Sequence, residues 1–529
     1  MSEDRRARIG TLEKALAALE AFGPATPDLR IAELAEATGM NRSSAQRVAH
    51  TLEKCGYLRR DPVSSALSMT YRNAYMAHTF LSTSNLIDLA VPALVELSAQ
   101  THMRADLWVR QGDDVINISR IPSAAHSRAM VPIGERLYAL TSAPGMAMLA
   151  CGPEKSFADC VASLSASQRS DATADERHRW VLALKTAAKA GYVYEPGLNP
   201  HDESTISAAV LDADGHSLAA VSISGRFGEK SGNELTTQFV LPVLNTAHAL
   251  SQLRIQPWAR ALSRPAEERI ATPPISENDA DPLFIESVAR GLFVLESFSP
   301  TRSVMTLTEL HRLTGLPVAT VQRVVDTLIA CGYIEKDPRL KTFRLSVKTL
   351  DLLFRFQMSD HTIKAVWPRL VQLRDECGLR CSFCVLAGSE IVHLLHVQSH
   401  PHSHFRTAFV GRRLPTLSTS GGLAILSTRS DTELDMMLSS IEVKPTTPFT
   451  IMDKSMLRER IMTAREKGYA FTDQQSIPDE VNIAAPVFDS NGCALGAIVV
   501  SAPRRDWNVA RLESEVAPPL LAYSRSIFN

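Results

Sequence analysis

Apolar residues recur at helical spacing near the start of the chain. Their positions predict an amphipathic first helix over 11–22. The apolar residues of that stretch are Leu12, Ala15, Leu16, Leu19 and Phe22. A second helix is predicted over 31–38, where Gly39 offers the left-handed conformation that ends a helix. A third is predicted over 41–54, and Gly56 then precedes a strand that turns at an Asp-Pro pair.

The same pattern returns 276 positions later. A helix is predicted over 307–314 and ends at Gly315, and the next opens at Pro317, a good first-turn residue. Gln46, Arg47 and Val48 match Gln322, Arg323 and Val324 in one ungapped register. A helix, a tight glycine turn, a second helix and a hairpin predict a winged helix-turn-helix domain in each copy.

Two longer segments follow the winged helices, at 80–255 and 360–529. Each mixes helical stretches with β-branched strands around a hairpin signal, Asp214-Gly215 in one and Asn491-Gly492 in the other. The chain therefore reads as a tandem duplication of a two-domain unit of α+β class. The predicted boundaries are 1–75 and 283–351 for the winged helices, 76–254 and 352–529 for the larger domains, and 255–282 for a Pro-rich linker.

Composition narrows the function classes. The 529 residues carry 56 basic and 57 acidic side chains, a formal charge of −1, so any nucleic-acid binding must come from local patches. Eight scattered cysteines favour a reducing compartment. The first residues lack a secretory apolar region, and no apolar run approaches 18 residues. We expect a soluble, cytoplasmic protein that does not bind membranes.

Exposed polar residues early in the third helix of each copy are candidate DNA contacts, because such side chains reach phosphates and base edges in a major groove. In the first copy they are Arg42, Ser43, Ser44, Gln46 and Arg47. The second copy is less polar, since it opens with Val318 and Ala319. Its candidates are Thr320, Gln322 and Arg323, with Arg339 and Lys341 on the hairpin. Helix-turn-helix geometry also serves protein interaction, and that alternative stays open.

Several longer segments of the sequence resemble the IclR-type bacterial transcription regulators. The segments IAELAEATGMNRSSAQRVAHTLEKCGYL and LTELHRLTGLPVATVQRVVDTLIACGYI resemble that family's winged-helix motif. GERLYALTSAPGMAMLA, GRRLPTLSTSGGLAIL and the final hairpin strands resemble its larger domain. The resemblance implies winged helices alternating with two GAF-like α+β domains that bind a small organic-acid or aromatic effector. It also implies dimers or tetramers that repress or activate nearby genes.

Carried over position by position, the resemblance also implies an effector cavity in each copy. In the first copy its residues are Ala143, Pro144, Glu195, Thr205, Ser222 and Ser224. In the second copy they are Ser420, Gly421, Thr472, Asn482 and Ser501, with Val499 replacing a polar residue. Pro144 has no N–H to donate, and either departure would weaken carboxylate binding. Without the resemblance, these serines read as ordinary strand residues.

Two clusters have metal-ligand chemistry. Cys377, Cys381 and Cys384 match the spacing of an iron–sulfur motif, but the last two lie in a predicted strand, and the first copy has Thr101, Ala105 and Trp108 at those places. The histidines of the second cluster are His393, His396, His400, His402 and His404. The HPHSH stretch, which holds the last three, reads as a surface loop, and the first copy offers only His126 nearby. We expect no metal and no cofactor.

The sequence supports an effector-responsive DNA-binding regulator that is not an enzyme. Fusion of two copies makes one chain a pseudo-dimer with two unlike recognition helices, for which we expect an asymmetric double-stranded DNA operator and association into homo-oligomers. Two alternatives remain. One is a small-molecule enzyme on the larger domains, with the helix-turn-helix domains used for protein docking. The other is a chain in which only the first copy reads DNA.

Overall fold

The structure is a computed structural model of the 529-residue chain. The residues described are 8–83, 85–123, 130–153, 156–166, 172–197, 203–227, 232–253, 281–399 and 409–528. Of the predicted linker at 255–282, only positions 281 and 282 fall among them.

The chain divides into two compact units. The helical unit comprises Met1–Asn85, Pro132–Glu135 and Gln256–Asp360, and the sheet unit comprises Leu86–Val131, Arg136–Ile255 and His361–Asn529. Each unit contains a part of both copies of the repeat. The domain boundaries inferred from the sequence remain predictions.

The first copy of the repeat contains ten α-helices and nine strands among the described residues. The helices are α1 (Gly10–Glu20), α2 (Ile31–Thr38), α3 (Arg42–Lys54), α4 (Tyr75–Thr83), α5 (Asn85–Thr101), α6 (Ala143–Leu149), α7 (Phe157–Ala166), α8 (Ala174–Ala190), α9 (Gly232–Leu235) and α10 (Leu241–Ser251). The strands are β1 (Asp28–Leu29), β2 (Leu58–Arg60), β3 (Leu67–Met69), β4 (Arg104–Gln111), β5 (Asp114–Ile121), β6 (Arg136–Tyr138), β7 (Val193–Glu195), β8 (Ser204–Leu211) and β9 (Ser217–Gly225).

The second copy repeats these elements in the same order. Its helices are α11 (Glu286–Glu296), α12 (Leu307–Thr314), α13 (Val318–Ala330), α14 (Thr349–Ser359), α15 (His361–Cys377), α16 (Ser420–Leu426), α17 (Asp431–Ser440), α18 (Lys454–Lys467), α19 (Val509–Glu515) and α20 (Ala517–Arg525). Its strands are β10 (Val304–Thr306), β11 (Ile334–Asp337), β12 (Thr342–Leu345), β13 (Arg380–Ala387), β14 (Glu390–Val397), β15 (Arg413–Pro415), β16 (Ala470–Asp473), β17 (Glu480–Phe488) and β18 (Ala494–Pro503).

Local chemistry explains the helix ends in the winged helices. Thr306 caps α12, because its Oγ1 accepts the N–H of Glu309 at 3.3 Å while the Glu309 carboxylate accepts the N–H of Thr306 at 2.7 Å. Gly315 ends that helix with φ at +70°. The prediction that Pro317 opens the third helix was wrong by one position. Its extended backbone, with ψ at 141°, places it at the N-cap before Val318.

The first helix also ends earlier than its apolar pattern predicted. The pattern ran to Phe22, whereas α1 ends at Glu20. Phe22 is nevertheless fully buried, so it belongs to the apolar core although it lies outside the helix. Apolar periodicity reports which residues are buried, and Phe22 in the following turn shares the burial of the helix's apolar face.

Each copy builds one six-stranded antiparallel sheet in the sheet unit. The strand orders are β6-β5-β4-β9-β8-β7 and β15-β14-β13-β18-β17-β16, which are equivalent in the two copies. One short helix, α6 or α16, packs closely over each sheet. A Cβ on Gly422 of α16 would lie 2.0 Å from the carbonyl oxygen of Thr416, which follows β15. Only glycine therefore permits α16 to lie so close to this backbone. The predicted α+β architecture, with winged helices alternating with sheet domains, is confirmed.

No single helix among the described residues is long and apolar enough to cross a membrane; α5 and the preceding segment 71–83 pass that test only together, as a bent pair.

Candidate DNA-reading surface and effector cavity

The predicted contact residues of α3 form a polar, accessible surface. Arg42, Ser43, Gln46 and Arg47 are exposed, and Ser44 is half-buried. Asn41 caps the helix by accepting the N–H of Ser44 at 2.8 Å. The cap satisfies a backbone group at the helix start and leaves the polar side chains of the first turns available.

The equivalent surface of α13 offers fewer accessible polar side chains. Val318 is 47% exposed, and Thr320 and Gln322 are half-buried. The amide of Gln322 donates to the Asp326 carboxylate at 2.7 Å, one turn further along the helix. Arg323 is the exposed cation in the first half of this helix.

The turn between β11 and β12 presents the basic residues predicted on the second hairpin. Arg339 and Lys341 are both exposed there. Two further basic side chains of the hairpin are engaged within it. Arg344 donates to Glu335 at 2.7 Å, and the Lys336 ammonium lies 5.9 Å from the centre of the Phe343 ring. Arg339 and Lys341 are accessible cations at the hairpin tip, and Lys336 is exposed on the adjoining strand.

The two winged helices pack together within the helical unit through contacts that occur in equivalent pairs. Tyr57 Oη donates to Glu296 at 2.6 Å, and the equivalent Tyr333 Oη donates to Glu20 at 2.8 Å. Burial and the neighbouring carboxylates raise the pKa of both phenols well above the ordinary value, so they remain donors. Arg72 binds Glu296 through two N–H groups at 2.7 and 2.8 Å, where the second copy has Lys348 beside Glu20 at 2.9 Å.

Backbone contacts follow the same pairing. The N–H of Ile9 donates to Thr327 Oγ1 at 3.0 Å, and the N–H of Ile285 donates to Thr51 Oγ1 at 2.9 Å. Thr11 and Ser287 occupy equivalent positions and bond to each other through their hydroxyls at 2.8 Å. A contact between equivalent residues marks a pseudo-two-fold axis. The helical unit is therefore an internal pseudo-dimer that relates α3 to α13.

In the sheet unit, the second copy contains a cavity between α16 and the sheet, toward the sheet edge formed by β16. It is narrow, with a volume of about 30 Å³. All the predicted effector residues of this copy line it. They are Ser420, Gly421, Thr472, Asn482 and Ser501, together with Val499. Ser420 is 2% exposed, and its hydroxyl has no hydrogen-bond partner among the described residues.

The cavity wall also carries charged and imidazole side chains that the sequence analysis did not assign to it. Arg380 binds both carboxylate oxygens of Glu480 at 3.0 Å, and this pair is almost fully buried. Arg412, His393 and His396 complete this part of the wall. Two guanidiniums against one carboxylate leave the wall with positive charge, which favours an anion.

His396 is held as a neutral imidazole. Its Nε2 lies 3.1 Å from the carbonyl oxygen of Phe409, which can only accept, so Nε2 carries the proton. Nδ1 then accepts from Ser382 Oγ at 2.7 Å. Burial, followed by the charges of His393, Arg380 and Arg412, lowers the pKa of His396 well below its ordinary value.

This serine–imidazole pair bears on the enzyme alternative. A serine nucleophile needs a base that takes its proton, and a carboxylate usually orients that base. Here the lowered pKa of His396 makes it a weak base, and a backbone carbonyl occupies its other nitrogen. The first copy has Asp106 and Arg120 at the two positions, so the pair is not repeated.

The predicted effector residues of the first copy are occupied by one another and by their neighbours. The Glu195 carboxylate accepts the N–H of Ala143 at 2.9 Å, next to Pro144. Burial raises the pKa of Glu195, and that hydrogen bond opposes the rise. Thr205 and Ser224 bond to each other at 3.0 Å, and the Trp108 indole donates to Ser222 at 2.9 Å.

A tryptophan therefore stands where the second copy has a smaller thiol. Trp108 and Cys384 pair with equivalent residues of the adjacent strand, Ala220 and Ala497. The indole is 3% exposed and packs in the apolar core beneath α6. It fills space next to Ser222, the position at which Val499 lines the cavity in the second copy.

The three cysteines of the predicted cluster lie on two elements, Cys377 at the end of α15 and the other two in β13. Cys381 and Cys384 are three residues apart on β13, so their side chains point to opposite faces of the sheet. Burial raises the pKa of Cys384 to about 12 and that of Cys381 well above its ordinary value, so both remain thiols. The strand geometry is unsuited to a shared cluster.

The histidine cluster is only partly described. His393 and His396 stack with ring centres 4.9 Å apart in the cavity wall, while His400, His402 and His404 lie outside the described residues. Separately, Asp212, Asp214 and His216 bring potential metal-ligand atoms within 4.8 Å of one another at the β8–β9 turn. Asp212 already accepts the N–H groups of the other two, as in an ordinary Asx turn.

The tandem repeat held a signal for the missed residues. Arg104 and Glu203 of the first copy align with Arg380 and Glu480, and the first pair also bonds, at 2.8 Å. A charged pair kept in both copies within apolar strands indicates a buried interaction. The histidines carry no such signal, because Asn117 and Arg120 stand at their positions.

Two family models match the chain, and each matches twice. The model of the IclR helix-turn-helix domain matches residues 11–62 and 287–338. The model described as bacterial transcriptional regulator IclR C-terminal matches residues 78–252 and 357–529. The matches alternate along the chain in the order of the repeat.

Curated relatives align with about half of the chain. The Pca regulon regulatory protein of Pseudomonas putida is 30% identical over 273 residues, 50% of this chain and 93% of that protein. The transcriptional repressor IclR of Escherichia coli is 27% identical, over 41% of this chain and 80% of the repressor. The p-hydroxybenzoate hydroxylase transcriptional activator of Acinetobacter baylyi is 27% identical, over 43% of this chain and 85% of the activator.

Proposed function

The chain belongs to the IclR family of bacterial transcriptional regulators, and on that premise we propose that it reads an asymmetric operator and responds to one small organic anion. It is a DNA-binding transcriptional regulator built as a tandem fusion of two units of that family. The pseudo-two-fold pairing of the two winged helices carries the first part of the proposal. The cationic cavity of the second copy carries the second part.

Two unlike recognition helices on one pseudo-symmetric body call for two unlike half-sites. The α3 surface offers two arginines, two serines and a glutamine, whereas α13 offers Arg323 with partly buried polar neighbours. Arginine and glutamine are the side chains that read guanine and adenine edges in a major groove. The α3 half-site should therefore supply more of the base specificity, and Arg339 and Lys341 should contact phosphates of the other half-site.

Removing one arginine from each recognition helix should separate the two half-sites. We expect Arg47→Ala to weaken binding by about 1–3 kcal/mol and to relax sequence preference in one half-site only. Arg323→Ala should act on the other half-site. The measurement is equilibrium binding to operator fragments in which each half-site is altered in turn. Arg458→Ala, which changes an exposed arginine of the sheet unit, is the control, and an equal loss of affinity for all fragments would contradict a base-reading role for Arg47.

The effector is assigned to the cavity of the second copy. Its wall combines two guanidiniums, apolar side chains and a buried serine hydroxyl for which the described part of the chain offers no partner, a setting for a carboxylate on a flat or short apolar body. The p-hydroxybenzoate hydroxylase activator is a relative, so 4-hydroxybenzoate is a reasonable first probe. In the first copy, the Trp108 indole bonds to Ser222 and the Glu195 carboxylate bonds to Ala143 beside Pro144, and we infer that these side chains restrict the equivalent space. We therefore expect one effector per chain.

A branched side chain at Gly421 should abolish effector binding. A Cβ there would lie 2.6 Å from Cys384 Sγ and 3.0 Å from Val499 Cγ2, so Gly421→Val fills the cavity. The expected result by calorimetry is one bound equivalent for the wild-type chain and at least a tenfold weaker affinity for the variant. Pro144→Ala, at the equivalent position of the first copy, should leave binding unchanged. Two bound equivalents per wild-type chain would show that the first cavity is open.

The remaining parts of the proposal concern the setting of the protein. No catalytic step is assigned to it. We infer a cytoplasmic location, because operator DNA lies there in bacteria. Association of pseudo-dimeric chains into homo-oligomers, and the choice between repression and activation, stay predictions, since the relatives include both a repressor and an activator.

A further inference from the structure

An open groove lies in the helical unit where α1, α11 and α13 meet. It holds about 560 Å³, and its charged lining residues are Arg8, Lys14, Arg290 and Arg323. None of the described residues that line it is acidic. Thr320 and Arg323, two of the predicted DNA contacts of α13, form one of its walls.

The groove sits on the pseudo-two-fold axis. Thr11 and Ser287, whose hydroxyls bond to each other at 2.8 Å, are equivalent residues, and both line the groove. Lys14 and Arg290 are also equivalent, 276 positions apart, and both line it too. The axis that relates the two recognition helices therefore passes through a cationic surface.

The cations on this axis are accessible. Lys14 is exposed, and Arg8 and Arg290 are half-buried. Arg290 pairs with Glu286 one turn earlier on α11, and the carboxylate side chain is 48% exposed. Such an exposed helical pair contributes little and is screened by salt, so a phosphate can replace the glutamate.

We propose that this groove binds backbone phosphates at the centre of the operator, between the two half-sites. The inference rests on the proposed function, because it needs a duplex that spans both recognition helices. Such a duplex crosses the axis midway between its half-sites. Its phosphates there meet Arg8, Lys14 and Arg290, which neutralise them and release counterions without reading bases.

The test is the salt dependence of binding to one duplex of about 30 base pairs, titrated between about 0.05 and 0.3 M NaCl. The variant changes Arg8, Lys14 and Arg290 to Ala in the full chain. The slope of log K against log salt is negative, and each lost phosphate contact should reduce its magnitude by about 0.9, so the magnitude should fall by about 2–3. Base preference within the half-sites should stay as in the wild type.

A matched control changes three exposed basic residues of the sheet unit, Lys454, Arg458 and Arg505, to Ala and should keep the wild-type slope. A wild-type slope in the groove variant would overturn the inference. If that variant keeps the DNA slope but loses binding of inorganic pyrophosphate, the groove is a small-anion site instead, which also overturns it. Failure of the proposed function looks different, because the wild-type chain would then show no salt-dependent DNA binding.

Discussion

Replacing Asp106 with Asn is expected to destabilise the first-copy half of the sheet unit by about 3–5 kcal/mol. Asp106 is fully buried, and its carboxylate accepts from Arg120 at 2.5 Å and from Arg104 at 3.1 Å. The Arg120 side chain is only 3% exposed. A neutral amide at position 106 therefore removes the Asp106 charge from beside a buried guanidinium, although Arg104 keeps Glu203.

The loss should depend on pH in a defined direction. Burial alone would raise the pKa of Asp106, but the Arg120 and Arg104 guanidiniums more than offset it and hold the pKa below its ordinary value. A carboxyl with a lowered folded-state pKa contributes stability above its unfolded pKa, near about 4, and loses it as pH falls through the folded pKa. The difference between wild type and Asp106→Asn should be full at pH 7 and shrink below about pH 4.

Amide hydrogen exchange in β4 and β5 measures this effect locally, which avoids assigning one unfolding free energy to a chain of several domains. Ser382→Ala is the matched control, because Ser382 holds the equivalent position in the second copy and no charge depends on it. It should cost about 1 kcal/mol, the value of an ordinary hydrogen bond. Equal effects of the two substitutions would refute the role given to the Asp106 charge.

Replacing Glu296 with Ala should weaken the packing of the two winged helices against each other. Its carboxylate accepts from Tyr57 and twice from Arg72, so the change removes three hydrogen bonds at once. The buried Tyr57 hydroxyl would lose its acceptor. Because Arg72 is 32% exposed, we place the loss below that of a fully buried pair, at about 2–3 kcal/mol.

The equivalent substitution in the other copy should cost less. Glu20 pairs with Lys348 at 2.9 Å, and a lysine lacks the fork that lets Arg72 bind both carboxylate oxygens. Thermal unfolding of Glu296→Ala and Glu20→Ala ranks the two contacts. Affinity for DNA that carries both half-sites should fall as the pairing of the two winged helices weakens. Glu296→Gln keeps one acceptor, so its affinity should lie between those of the wild type and Glu296→Ala. Wild-type melting of Glu296→Ala would remove this contact from the pseudo-dimer interface.

The sequence predicted the winged helices well, because their signals are local. The apolar spacing and Gly39 located α2 and α3 to within a residue, and the repeat located the same elements again. The only sign in the sequence that the two copies pair was the recurrence of the same residues in both. Tyr57 and Glu20 recur as Tyr333 and Glu296, but contacts over 239 and 313 residues have no local signature.

The cavity was predicted in part. The second-copy positions carried over by resemblance all line one space, because they share strand and helix positions that an alignment preserves. Arg380 was not predicted, and His393 and His396 were considered only as metal ligands, since polar residues within apolar strands find their partners only when the sheet folds. The direction of the Trp108 indole, which bonds to Ser222, is likewise something that a sequence does not specify.

In vitro selection of genomic DNA fragments by the full chain, at about 0.15 M salt, tests the central claim of an internal pseudo-dimer most directly. We predict an enriched motif with two unlike half-sites, spaced by about one helical turn of 10 base pairs or a multiple. Arg47→Ala should then relax one half-site and Arg323→Ala the other. Enrichment of a perfect inverted repeat, or of a single half-site, would contradict the account.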